Sequence, residues 1–233
     1  PGAARLSEAS GAPVYAFQPQ DGERRLVDDG IVEAGRLRLR IVHTPGHTAD
    51  HVCFLLEDEG RLFTGDTVLG RGTSVIDPPE GDMAAYLRSL ERLRLLDPAT
   101  IYPGHGPVIF TPKGRLEFYL RHRQEREGQV LQALENGPRT APELVSAIYA
   151  GEVSEDLYPA AARSALAHLL KLERDGRVVR TGRHRDERFV LVKQKACVRC
   201  GRPAAPGSRF CRRCAFSALQ EGPGRGPVDG GVE

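Results

Sequence analysis

Three short stretches carry residues that could bind metal ions: His43-Thr44-Pro45-Gly46-His47-Thr48-Ala49-Asp50-His51, Thr64-Gly65-Asp66-Thr67 and Tyr102-Pro103-Gly104-His105-Gly106. Each follows an apolar, strand-like run: Ile41-Val42 leads to His47, Leu62-Phe63 to Asp66, and Ile101-Tyr102 to His105. Glycine beside each ligand lets the backbone turn sharply at a strand end and aims the side chain past the sheet edge. Imidazole suits zinc and iron, and a carboxylate has two oxygens with which to bridge cations. Such tips on neighbouring strands would meet at one corner. A second constellation lies near the C-terminus, where Cys197, Cys200, Cys211 and Cys214 form two Cys-x-x-Cys pairs. Four thiolates at that spacing predict a closed, structural Cys₄ zinc ribbon.

The motifs Thr-Pro-Gly-His-Thr-x-x-His, Phe-Thr-Gly-Asp-Thr and Tyr-Pro-Gly-His-Gly resemble the later metal motifs of the metallo-β-lactamase superfamily. The surroundings Gly70-Arg71-Gly72-Thr73-Ser74 and Gly106-Pro107-Val108-Ile109 are most similar to its beta-lactamase-like protein 2 branch, which holds hydrolases and endoribonucleases with a winged-helix-like tail. The resemblance covers roughly residues 1 to 192. It implies an α/β fold: the C-terminal half of an αββα sandwich, then a winged-helix-like region and the ribbon. It also implies a dimetal centre, with His47 on the first metal, Asp66 bridging and His105 on the second. The metals, two zinc ions or else iron or manganese, would hold a hydroxide that attacks an ester, thioester or phosphodiester, RNA included. The family's first motif, His-x-His-x-Asp-His, occurs nowhere in the sequence, and the chain opens with Pro1-Gly2-Ala3-Ala4. The expectation is a chain cut just downstream of that motif and inactive alone. The rival reading is a nucleic-acid-binding or adaptor protein with a vestigial catalytic domain.

The supporting elements follow from patterning. The expected units are residues 1–127 (partial catalytic domain), 128–193 (winged helix), 194–217 (ribbon) and 218–233 (a Gly- and Pro-rich disordered tail). A helix over 3–10 and a strand over 13–17 precede a polar loop at 18–30. Leu37, Leu39 and Ile41 alternate with Arg36, Arg38 and Arg40 and predict a strand with one buried face, opening an antiparallel meander to Asp66. Cys53 is expected in the core. Asp82 should cap a helix from Met83 to Leu96 with Leu87, Leu90, Leu93 and Leu96 inward, and Asp97-Pro98 should end it. Residues 99–102 form the last strand. A long helix over 114–136 carries His122, Arg123, Arg126 and Glu127; its bland reading is an Arg123–Glu127 ion pair, its sharp one an anion site near the metals. Thr140 caps a short helix, residues 159–174 form a stronger one, and 178–179 with 189–192 make a wing.

His43 and His51 are either supports of the ligands, substrate contacts or structural histidines. Thr44, Thr48 and Thr67 would fix the loops through hydroxyl-to-backbone bonds. His168 is read as a helix-face residue and His184 as a loop-tip residue. The formal charge of +2 gives no global nucleic-acid signal. Locally, Lys193, Lys195, Arg199, Arg202, Arg209, Arg212 and Arg213 surround the ribbon with no Asp or Glu between 193 and 214, which makes it the one candidate polyanion contact. The alanine-rich run 161–167 argues for packing or homodimerisation over DNA reading. Metal-type cysteine spacing and the absence of a long apolar run point to the cytoplasm and no membrane span.

Overall fold

The computed structural model describes residues 2–149, 151, 154–182, 187–192 and 200. Its centre is a five-stranded sheet in the order β3-β4-β5-β6-β7, formed by Ile31–Ala34, Leu37–His43, Val52–Leu56, Arg61–Gly65 and Thr100–Pro103. The first four strands pair antiparallel, as a meander should, and β7 joins β6 in parallel after a helical crossover. Ahead of the sheet stand helix α1 (Gly2–Ser10), which buries nothing, and a two-residue strand β1 (Tyr15–Ala16). The stretch expected to be only loop contains β2 (Arg24–Arg25), parallel to β1.

The crossover helix α2 (Met83–Leu95) and the long helix α3 (Pro112–Glu135) pack on one face of the sheet. Val42, Cys53, Leu55, Leu62 and Ile101 meet Tyr86, Leu90, Leu93, Leu116 and Tyr119 there. Cys53 is fully buried, and that burial pushes its thiol up to about 12. The opposite face carries Leu39, Ile41, Phe54, Phe63 and Tyr102, as the strand register requires. Phe63 is 40% exposed and stacks on Tyr102. Two apolar faces are what a sandwiched sheet carries. Exposure along β4 therefore follows distance from the sheet margin and not the expected alternation of faces: Leu37 and Arg38 are both exposed, whereas Ile41 and Val42 are both buried. In α2 the buried stripe is Met83, Tyr86, Ser89, Leu90 and Leu93, with Leu87 and Leu96 only partly covered.

Beyond α3 come α4 (Ala141–Ile148), capped by a reciprocal Thr140/Glu143 box, then α5 (Tyr158–Arg174) and the hairpin β8 (Val178–Thr181) with β9 (Arg188–Leu191). They close a second core around Val130, Leu134, Leu144, Leu169, Leu172 and Phe189. Helix α3 runs through both cores, Leu116 and Tyr119 in the first and Val130 and Leu134 in the second. His168 is not on an open helix face: it is buried, 3.8 Å from Glu127. Five basic side chains among the described residues of this unit face carboxylates. Arg163 pairs with Asp77, Lys171 with Glu127, Arg174 with Asp82, Arg180 with Glu173 and Glu187, and Arg188 with Glu143. His184, most of the wing tip, Cys197, Cys211, Cys214 and the tail lie outside the described residues; Cys200 is exposed. Among the described residues no helix is long and apolar enough to cross a membrane.

Asp82 caps α2 by accepting from the Ala85 N–H at 2.7 Å. Partial burial works against its charged form, but the Ala85 N–H and Arg174 outweigh it and hold the carboxyl below its ordinary range. A folded-state pKa below the unfolded value adds stability above the unfolded pKa, and that stability is lost as pH falls through the folded pKa. Between about pH 5 and 3 the urea midpoint of the native protein should thus fall more steeply than that of Asp82→Asn, which keeps an oxygen acceptor but has no charge to lose. Parallel curves would remove the ionised cap from the account.

Candidate metal corner

The His47 tip leaves β4 and folds back to β5. Gly46, at φ 137°, lies against the first turn of α2; a Cβ there would come within 2.3 Å of the Tyr86 Cα. Helix α2 grips this tip through the Asp82 N–H to the Gly46 carbonyl (2.9 Å) and Ser89 Oγ to the Pro45 carbonyl (2.7 Å). His47 Nδ1 lies 2.9 Å from the Val75 carbonyl. A carbonyl only accepts, so Nδ1 carries the proton and Nε2 presents its lone pair, the tautomer a metal ligand needs.

Asp66 stands on the tip after β6. Its Oδ1 is buried, has no hydrogen-bond partner, and is 3.6 Å from His105 Nε2. A buried carboxylate oxygen without a donor is costly unless something cationic shares the site. The His105 tip comes from β7 and is 77% exposed at its side chain. The Gly104 N–H donates to the Gly65 carbonyl, and a Cβ at Gly104 would press on Asp66 Oδ1 at 3.0 Å. Glycine at 104 thus permits the two tips to touch.

His51 joins the first two tips. Its ring centroid is 6.4 Å from that of His47, and its Nε2 accepts from the Asp66 N–H at 3.3 Å. Nδ1 then carries the proton and faces Thr44 Oγ1 (2.9 Å) and Thr67 Oγ1 (3.0 Å). Burial, with the neighbouring His47 adding to it, holds His51 below the ordinary imidazole range and so neutral. With its lone pair turned on the Asp66 main chain, His51 supports the tip. Gly65, at φ 48°, makes room for it: a Cβ there would meet His51 Nε2 at 2.7 Å. Of the threonines, Thr44 also reaches the His51 carbonyl, whereas Thr67 serves the His51 ring and Thr48 bonds the Asp50 side chain, not the backbone.

His43 lies apart from these contacts. It stacks on Phe17 at 3.9 Å, and its Nε2 donates to the Ala49 carbonyl. Arg92 ties the 18–30 stretch to it, bonding Asp28, Asp29 and the His43 carbonyl. His122 stacks on Phe118 along α3. Arg123 does not pair with Glu127, which goes to Lys171, nor does it reach outward for an anion. It is 3% exposed and donates from Nη2 to the Ser74 carbonyl. Val75 was missed as a site residue because it acts through its main-chain carbonyl, and Ser74 because its hydroxyl serves the main chain of residues 66 and 67, which no side-chain motif reports. Among the described residues, no group of three His, Cys, Asp or Glu side chains could hold a metal ion.

The metallo-beta-lactamase superfamily model matches residues 2–105, which include all three tips. This region belongs to the metallo-beta-lactamase superfamily. The beta-lactamase-associated winged helix domain follows it over residues 140–187. The chain is 44% identical over 158 residues to a beta-lactamase-like protein 2 homolog of Drosophila melanogaster, covering 66% of this chain and 52% of that protein. It is 36% identical over 148 residues to an atrochrysone carboxyl ACP thioesterase of Aspergillus fumigatus, covering 58% and 46%. A crystal structure of a metallo-beta-lactamase family protein from Thermus thermophilus superposes with a TM-score of 0.65 at 30% identity, covering 82% of this chain and 64% of that one. The chain spans about half the length of the curated relatives it matches.

Proposed function

We propose that this chain supplies one side of the active site of a metal-dependent hydrolase whose substrate is a thioester. The observation that carries the reading is the Asp66 carboxylate oxygen, buried and without a donor, 3.6 Å from His105 Nε2. The His47 tautomer adds a second donor of the right kind. In this reading His47, Asp66 and His105 each give one donor to a site that the three do not complete among the described residues, with zinc first among the choices because imidazole and carboxylate are among its ligands. Bound metal would supply Lewis acidity and lower the pKa of water toward neutrality. The chain's own residues do the rest. Val75 and His51 orient His47 and Asp66, and α2 keeps the His47 tip against the sheet. The thioester class is supported by the thioesterase among the relatives. The carboxylate partners of Arg163, Lys171, Arg174, Arg180 and Arg188 favour packing over phosphate binding for these five cations. Cys197, Cys200, Cys211 and Cys214 are proposed to hold a separate structural zinc.

The test is turnover by the full-length gene product of acyl thioesters against single-stranded RNA, with His105→Ala as control. Thioester hydrolysis that falls to background in His105→Ala is expected. RNA cleavage alone would replace the substrate class, and an unimpaired His105→Ala enzyme would remove the metal mechanism.

A further inference from the structure

The segment Ser74-Val75-Ile76 crosses behind the metal corner. On its front side it serves both tips: Ser74 Oγ donates to the Asp66 and Thr67 carbonyls, at 2.5 and 3.2 Å, and the Val75 carbonyl receives the His47 Nδ1 proton. On its back side it is held by two helices. Arg123 of α3 donates to the Ser74 carbonyl at 2.5 Å, and Ser164 Oγ of α5 accepts from the Ile76 N–H at 3.2 Å. Both holding residues are buried, and the Arg123 guanidinium lies over the Tyr86 ring. A buried guanidinium is expensive, and among the described residues this one has no carboxylate partner to offset the cost. Its hydrogen bond goes to one main-chain carbonyl next to the residue that sets His47. Ser164 lies within the matched winged-helix stretch, so the clamp joins that unit to the corner.

We propose that Arg123 and Ser164 are positioning residues that fix the tautomer and orientation of His47 through the main chain of residues 74–76. The winged-helix unit is then a structural part of the corner, and separating it would loosen a ligand rather than remove a nucleic-acid contact. The proposal rests on the reading above only for what His47 binds.

The experiment is ¹⁵N–¹H correlation of the histidine rings in the 233-residue chain, without metal, at about pH 8.5, some two units above the ordinary imidazole pKa. In the native chain His47 should be a single Nδ1–H tautomer. Arg123→Gln, too short to reach Ser74, should give a mixture of both tautomers, and Arg123→Lys should restore the single form. Ser164→Ala should speed exchange of the Ile76 amide by about tenfold, the loss of roughly one hydrogen bond, and should also mix the tautomers. Lys171→Gln breaks the Glu127 pair on the same α3–α5 seam; it should lower stability and leave His47 unchanged. If Arg123→Gln does not fold, Ser164→Ala carries the test. An unmixed His47 in both variants, or mixing as strong in Lys171→Gln, overturns the proposal. Because the readout needs neither metal nor turnover, the two readings fail separately: loss of the hydrolase reading in the turnover test above would leave a His47 that responds here, and the clamp, standing.

Discussion

Asp66→Ala is expected to reduce thioester hydrolysis by the full-length gene product at least a thousandfold, about 4 kcal/mol of barrier, while leaving the melting temperature unchanged or slightly raised. The two halves of this outcome have one cause. Asp66 Oδ1 makes no hydrogen bond in the fold, so deleting it breaks nothing that the fold uses. The Asp66 side chain is 40% exposed, so its removal leaves no cavity in the core. The tip itself is held by main-chain and neighbouring groups: the Asp66 N–H by His51, and its carbonyl by Ser74. A carboxylate kept there at the fold's expense has its use in the chemistry. Activity within tenfold of native, or a large fall in melting temperature with activity retained per folded molecule, would make Asp66 a structural residue.

Gly46→Ala is expected to cost more than about 3 kcal/mol of stability, in the range of severe overpacking. Two penalties coincide. The backbone at φ 137° disfavours any side chain, and the new Cβ would lie 2.3–2.5 Å from the N, Cα and Cβ of Tyr86. Those are mainly helix backbone atoms and cannot swing away. To relieve the clash, α2 must move off the His47 tip, breaking the Asp82–Gly46 and Ser89–Pro45 bonds. Gly128→Ala in α3, where a Cβ meets nothing within 4 Å, is the matched control and should stabilise by about 0.5–1 kcal/mol. Urea denaturation of both variants checks the pair; a midpoint for Gly46→Ala near that of the native protein would mean that the tip does not seat against α2 in this way.

The tips were legible in the sequence because glycine beside histidine or aspartate after an apolar run reports a turn and a ligand together. Helices α2, α3, α4 and α5 were legible to within two residues, since caps such as Asp82 and Thr140 and the leucine spacing act locally. What escaped was the support behind the site. Arg123 follows Leu116 and Tyr119 at the i+7 and i+4 positions of the buried stripe, and that is the signal that could have placed it inside. Ser164 and His168 sit likewise among Ala165, Ala167, Leu169 and Leu172 on the covered side of α5. Reading charge before periodicity put Arg123 and His168 on an open helix face, and Ser164 drew no reading of its own. The carbonyls of Ser74 and Val75 have no side-chain signature, so their part follows only from coordinates.

The most direct measurement is anomalous X-ray scattering at the zinc edge from crystals of the full-length gene product grown with zinc. The account predicts anomalous peaks about 2.0–2.2 Å from His47 Nε2, from an Asp66 carboxylate oxygen and from His105, lost in Asp66→Ala. Peaks confined to the cysteine pairs, with none at this corner under zinc excess, would contradict it.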